Sequence, residues 1–275
     1  MNSILSSTET KSNVQFQSGR STASLLAPLD RLVAGSSNLI ARPVGPFERD
    51  GRSYELPHYV FVGPRGGDEP IRIGLFAAIH GDEPAGAHAL VRFLSMLEQT
   101  PDLATGYCLF AYPVCNPAGF EQHVRDSRPG CDLNREFWKN SSEPEVQLLE
   151  REIRSKRLHG IISLHADDTS SGIYGFVRGS TLAKHLLRPA LDAAAGILPR
   201  NFDEVIDGFK ARNGIIRDGY SGVLGAPHNA RPRPFEIIFE TPHSAPQYQQ
   251  EAALVIAMQT ILTEYRKFIA YALNL

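Results

Sequence analysis

The run IRIGLFAAIH, residues 71–80, constrains this chain most. It is almost wholly apolar and is bounded by turn residues, which fits a strand buried on both faces. Such a strand is stable only inside a sheet covered on both sides, and the rest of the chain supplies the cover. HYVFVG (58–63), YCLFAYPVCN (107–116), HGIISLHA (159–166) and PFEIIFETP (234–242) read as further strands. Between them lie helical patterns. PAGAHALVRFLSMLEQ (84–99) opens on a proline suited to the first helical turn, and its Leu90, Phe93, Leu94 and Leu97 recur at helical spacing. Ser142 with Glu145 resembles a capping box opening a helix over 143–157. Residues 180–196 read as a helix kinked at Pro189, and about 247–272 as one long helix. Residues 117–141 read as a long polar loop.

Strand and helix in alternation, with short links, predict a single α/β domain over 23–275: a mixed, mostly parallel sheet flanked by helices on both faces. Residues 1–22, rich in Ser, Thr, Asn and Gln, read as a loose N-terminal arm. The 28 basic and 30 acidic side chains nearly cancel, so nothing in the charge argues for a nucleic-acid partner. The N-terminus lacks a charged region followed by a long apolar one, and no stretch reaches the length of a membrane span. The expected location is the cytoplasm, with no membrane partner. Three cysteines, none in a CxxC pair, favour free thiols over a disulfide framework or a thiolate zinc site.

In an open α/β sheet, ligands bind beyond the carboxyl ends of the strands. Polar residues gather at those ends in this sequence: His80 ends the first long strand with Glu83 one loop turn on, Asn116 ends the next, His165 the third and Glu240 the fourth. Two imidazoles and one carboxylate form a zinc set that leaves a position for water. His80-x-x-Glu83 is not the helical HExxH arrangement; it sits on a strand-to-helix turn, where Gly81 would let the backbone turn sharply. Taken alone, the pair is a weak signal and reads more readily as a loop histidine and a glutamate favoured by a helix N-terminus. The stretch CDLNREFW (131–138) adds an Asn–Arg pair, and arginine presents a fork that matches a carboxylate; by itself that pair also suits a surface ion pair.

As a set, and in this order, His80-x-x-Glu83, Asn116-Pro117-x-Gly119, Arg125, Asp132-x-Asn134-Arg135, His165 and Glu240 resemble the zinc carboxypeptidase family in its short bacterial form. The succinylglutamate desuccinylase and aspartoacylase branch shares the frame, including the DLNR string. The resemblance implies a phosphorylase/hydrolase-like fold and one zinc ion per chain, held by His80, Glu83 and His165. It implies Glu240 as general base, Arg125 polarising the scissile carbonyl, Asn134 and Arg135 holding a substrate carboxylate, and Asp132 orienting His80.

Several points stay open in the sequence. Arg128 could replace Arg125 after a small shift. Ser163 stands two before His165, where many relatives carry an acid. Asp167 and Asp168 either line a pocket or cap the turn, the latter being preferred. Tyr220 and Tyr174 are both candidates for a tyrosine that caps the substrate, and both could be packing residues. His243 is read as a surface or packing residue. The expected activity is hydrolysis of a peptide or amide bond next to a free carboxylate, murein-type peptides being one plausible class. The alternative is deacylation of an N-acyl amino acid. Only 35 residues follow Glu240, which leaves no room for the β-rich region that aspartoacylase-like enzymes carry, and this tips the expectation toward the peptidase branch.

Overall fold

The computed structural model describes residues 20–67 and 69–272. In chain order the elements are α1 (Thr22–Val33), β1 (Leu39–Ala41), β2 (Val44–Arg49), β3 (Arg52–Leu56), β4 (Tyr59–Val62), β5 (Ile71–Ala77), α2 (Pro84–Gln99), β6 (Tyr107–Tyr112), α3 (Pro117–Gln122), α4 (Pro144–Lys156), β7 (Gly160–Asp167), β8 (Tyr174–Val177), α5 (Ser180–Leu182), α6 (Arg188–Ala194), β9 (Val205–Ile206), β10 (Phe209–Arg212), β11 (Ile215–Ile216), β12 (Phe235–Pro242) and α7 (Gln247–Ala272).

Ten strands form one mixed sheet in the order β1-β4-β6-β5-β7-β12-β8-β11-β10-β9. Its centre, β6-β5-β7-β12, is parallel. The antiparallel pairings lie outward, at β1/β4, β4/β6, β12/β8 and β9/β10/β11. The expected architecture therefore holds, with a parallel centre covered on both faces and, outside it, antiparallel pairings apart from the parallel β8/β11 pair. Residues of β7 are buried along almost its whole length, as its apolar run predicts.

The two faces differ. Helices α1, α2, α6 and α7 cover one, meeting side chains such as Leu75, Leu164, Ile237 and Phe239. Helix α4 and the β2–β3 hairpin cover the other, against Phe76, Tyr112, Leu149 and Ile161. The Tyr107 hydroxyl donates to the Leu262 carbonyl at 2.5 Å, tying the central sheet to α7. No helix among the described residues is long and apolar enough to cross a membrane.

Several expectations need correction. Strand β5 stops at Ala77, and His80 stands three residues later in a turn whose only left-handed residue is Ala78 (φ 46°). The polar stretch 117–141 contains helix α3 and a 3-10 turn at Leu133–Arg135. Asn116 caps α3, accepting from the Gly119 amide at 2.9 Å, and Pro117 occupies its first turn. The capping box at Ser142 does not form. Glu143 precedes α4 without a side-chain cap, and Glu143 and Glu145 turn instead to Arg49. Of the arm expected over 1–22, residues 1–19 lie outside the described residues. Arg20 is docked and Ser21 caps α1, so the domain begins earlier than expected. The helix expected over 180–196 is divided into α5, a π-turn over Ala183–Leu187 and α6, with Pro189 in the first turn of α6.

Candidate metal centre

The site is built on the carboxyl ends of β5, β7 and β12. Beyond β5, the turn 78–83 carries His80 and Glu83 before Pro84 opens α2. Gly81 does not supply a left-handed turn. Its role is close approach: a Cβ there would meet the Gly119 carbonyl carbon at 2.0 Å and the Phe120 nitrogen at 2.3 Å. The His80 turn is thus pressed against the backbone of α3. The Gly81 amide and the Asn116 side-chain amide both donate to the Arg125 carbonyl at 3.3 Å, and Arg20 donates to the Gly81 carbonyl at 2.9 Å.

His80, Glu83 and His165 converge. All three are buried, and a ligand atom from each lies within 4.8 Å of the others. His80 Nδ1 is 2.6 Å from Glu83 Oε1, and His165 Nδ1 is 3.1 Å from Glu83 Oε2. The opposite ring nitrogens are held from behind. His80 Nε2 lies 3.1 Å from Asp132 Oδ1, and His165 Nε2 lies 2.9 Å from Ser163 Oγ. Two Nδ1 atoms and a carboxylate face one point while their remaining ring nitrogens are anchored, an arrangement that suits a divalent cation such as zinc. The Ser163 hydroxyl, two positions before the second histidine, is placed to fix its ring.

The charges are strongly coupled. Burial alone would lower the His80 pKa, but Glu83 and Asp132 outweigh it and push it up to about 9. Burial pushes the Glu83 carboxyl upward, yet His80 and His165 hold it far below the ordinary range. Asp132 is likewise held low against its burial, by His80, Arg125 and Arg135. His165 is lowered, chiefly by burial. The Glu240 carboxyl is raised well above its usual value by burial and then by the negative charges of Glu83, Asp167 and Asp207.

His80, Glu83, His165 and Glu240 line a cavity of about 540 Å³. Glu240 is the parallel-register partner of His165, and among the described residues no hydrogen bond or ion pair engages its carboxylate. Arg125 donates from Nη1 to Glu83 Oε1 at 3.2 Å and from Nη2 to Asp132 Oδ2 at 3.1 Å. Arg128 turns away to Glu143 at 2.8 Å and is not on the cavity wall, so geometry brings Arg125, not Arg128, to the centre. Asn134 accepts from the Leu224 amide at 2.8 Å, so its amide nitrogen is the atom it can offer a ligand. The Arg135 guanidinium stacks 4.0 Å above the Tyr220 ring. Tyr220 also lines the cavity, with its hydroxyl donating to Asp207 Oδ1 at 2.9 Å. Tyr174 lines it from the buried side and donates to Asp167 Oδ2 at 2.8 Å. Asp167 does both things the sequence offers: it caps the turn at the Thr169 amide and faces the cavity, as Asp168 also does. His243 lies on the rim, 3.4 Å from the Asp82 carbonyl.

Asp207, Arg178 and Arg233 also line the cavity, and nothing in the sequence singles them out. Asp207 sits in the turn between the two-residue β9 and β10, where no periodicity is long enough to read. In the sequence Ser163 stands out only as a departure. A hydroxyl inside an apolar strand, two residues from a buried histidine, is the signal for its anchoring contact.

Residues 71–200 match the family model of the succinylglutamate desuccinylase/aspartoacylase catalytic domain. No curated protein matches the chain by sequence. Among solved structures, a candidate metallopeptidase from Shewanella baltica OS155 is similar at 23% identity and a TM-score of 0.72, over 87% of this chain and 90% of that one. A metallo-carboxypeptidase from Burkholderia cenocepacia is similar at 15% identity and a TM-score of 0.67, over 90% of this chain and 68% of that one. A metallo-carboxypeptidase from Pseudomonas aeruginosa, in complex with (2-guanidinoethylmercapto)succinic acid, is similar at 16% identity and a TM-score of 0.64, over 89% and 69%. The fold is that of the metallo-carboxypeptidases, a mixed α/β domain around a large sheet. The resemblance to the succinylglutamate desuccinylase/aspartoacylase catalytic domain spans just under half of the chain, within that fold.

Proposed function

We propose that this chain is a zinc-dependent hydrolase that cleaves a peptide or amide bond next to a free carboxylate. The observation that carries the proposal is the convergence of His80 Nδ1 and His165 Nδ1 on the two oxygens of Glu83, with Glu240 unengaged on the neighbouring strand. His80, Glu83 and His165 would hold the ion. Bound there, zinc supplies Lewis-acid polarisation of a carbonyl and a water of lowered pKa.

The chain's own residues do the rest. Glu240 takes a proton from the attacking water and passes it to the leaving amine. Arg125 places fixed positive charge where the carbonyl oxygen becomes negative. Asn134 and Arg135 bind the substrate carboxylate, and the Tyr220 ring beneath the Arg135 guanidinium holds that fork in place. Asp132 and Ser163 keep the two imidazoles in orientation.

A second reading is deacylation of an N-acyl amino acid, favoured by the family-model match over 71–200. Both readings need the same centre and the same carboxylate anchor. The experiment that tests them is a hydrolysis screen with zinc-loaded protein on C-terminal dipeptides, murein-type peptides and N-acyl amino acids. Release of a C-terminal residue supports the first reading, and release of a fatty or dicarboxylic acyl group supports the second. Inactivity on all three classes, or a protein that takes up no zinc, would sink the proposal.

A further inference from the structure

Arg128, turned away from the cavity, belongs to a buried ion cluster. Glu143 and Glu145, at the start of α4, are 3% and 0% exposed. Arg49, at the end of β2, reaches Glu143 at 2.7 Å and Glu145 at 2.5 Å. Arg128 donates to Glu143 Oε1 from Nε at 2.9 Å and lies 2.8 Å from it at Nη2. The Ser127 hydroxyl donates to Glu143 Oε2 at 3.4 Å. One carboxylate therefore gathers the β2–β3 hairpin, the start of α4 and the middle of the segment 123–132.

That segment has little regular structure to hold it. It leaves α3 through a left-handed His123, and Gly130 (φ 75°) turns it again before the 3-10 turn at Leu133. At one end it presents Arg125 to Glu83 and Asp132, and at the other it presents Asp132 to His80 Nε2. Its ends are fixed at the Arg125 carbonyl and the Asp132 carboxylate. Between them, Glu143 fixes side chains at positions 127 and 128.

We infer that Glu143, backed by Arg49, is a positioning residue for the candidate metal centre, clamping Ser127 and Arg128 so that Arg125 and Asp132 meet His80 and Glu83 in register. The cluster costs desolvation of two carboxylates, and buried ion pairs are weak sources of net stability. Its effect falls on geometry: groups behind a metal ligand change metal affinity by about 10- to 100-fold when lost. The inference rests on the metal-centre reading, and the test separates the two.

Arg128→Ala removes only the loop side of the clamp and leaves Arg49 paired with both glutamates. Glu143→Gln removes the shared acceptor, and Arg52→Ala, on the same hairpin, breaks its pair with Glu121 of α3 as a control. Zinc affinity, by chelator competition well below each variant's unfolding temperature, should fall about tenfold in Arg128→Ala and in Glu143→Gln but not in Arg52→Ala. Amide hydrogen exchange over 126–131 in the zinc-free protein should rise in the same two variants. Unchanged zinc affinity in both, with wild type binding zinc, overturns the inference. If wild type takes no zinc, the metal-centre reading fails, and the exchange measurement still decides: unchanged protection over 126–131 in Arg128→Ala overturns the clamp. Should Glu143→Gln fail to fold, Arg128→Ala with a half-exposed side chain carries both measurements.

Discussion

Glu240 on β12 and His165 on β7 are direct register partners in parallel strands, so both side chains project from the same face at the same height. The alternation along β12 fits this: Phe235, Ile237 and Phe239 are buried, while Glu236, Ile238 and Glu240 face the cavity. A residue inserted or deleted between Phe235 and Glu240 would turn the carboxylate to the opposite side of the sheet. The sheet itself therefore sets the distance between the candidate base and a candidate zinc ligand.

Glu240→Gln should abolish hydrolysis, lowering kcat by about 10² to 10⁴, while leaving zinc content unchanged, because Glu240 makes none of the contacts within the His80–Glu83–His165 set. Measured kcat on a substrate from the screen, together with metal analysis of the same preparation, checks this. A variant with wild-type kcat would remove Glu240 from the mechanism.

Glu83 links both histidines, so it should control metal uptake and the stability that depends on it. Zinc at 100 times its dissociation constant should stabilise the wild type by about 2.7 kcal/mol, seen as a fall in Tm when a chelator is added. Glu83→Gln should be indifferent to the chelator. Equal chelator-induced shifts in the two proteins would count against Glu83 as a ligand.

The parts legible in the sequence are those with a long period or a distinctive residue type. Strands β5, β7 and β12 and helices α2 and α7 announce themselves by apolar runs and helical spacing. His80, His165 and Glu240 stand out because a polar group near the end of an apolar run has few structural uses. What escapes is local. Strands β8 to β11 are two to four residues long, too short for any period, yet they and their turns bring Tyr174, Asp207 and Tyr220 to the cavity. Helix α3 is hidden in a polar stretch although Asn116-Pro117 is a sound start signal. Spacing cannot choose between Arg125 and Arg128, because the choice depends on Glu143, which lies fifteen positions beyond Arg128 and falls inside an apparent capping motif.

Gly81→Ala should damage the centre although position 81 carries no ligand. The new methyl would overlap the backbone at Gly119 and Phe120, which is not a flexible side-chain end that could move aside. Relief requires moving the His80 turn away from α3. Zinc affinity should therefore fall by more than the roughly tenfold expected of a lost orienting contact, with Tm falling as well. Wild-type zinc affinity in Gly81→Ala would show that close packing against α3 is not what places His80.

His58 should make the fold acid-sensitive independently of the metal centre. It is 2% exposed and stacks on Tyr112 with centroids 4.4 Å apart, with Nδ1 3.0 Å from the Arg42 carbonyl and Nε2 buried without a partner. Burial, only partly offset by Glu152, lowers its pKa from 6.5 to about 4. The folded state then binds fewer protons than the unfolded chain between those values. Stability is complete above about pH 6.5 and is lost as pH falls toward 4, by about 3 kcal/mol, because each tenfold loss of proton affinity on folding is worth about 1.36 kcal/mol. His58→Phe keeps an aromatic ring in the stack and cannot protonate. Urea unfolding of both proteins from pH 7.5 to 4 should give a difference in unfolding free energy that changes by about this amount across the window, with the variant losing less. Parallel pH profiles would mean that His58 is able to protonate within the folded protein.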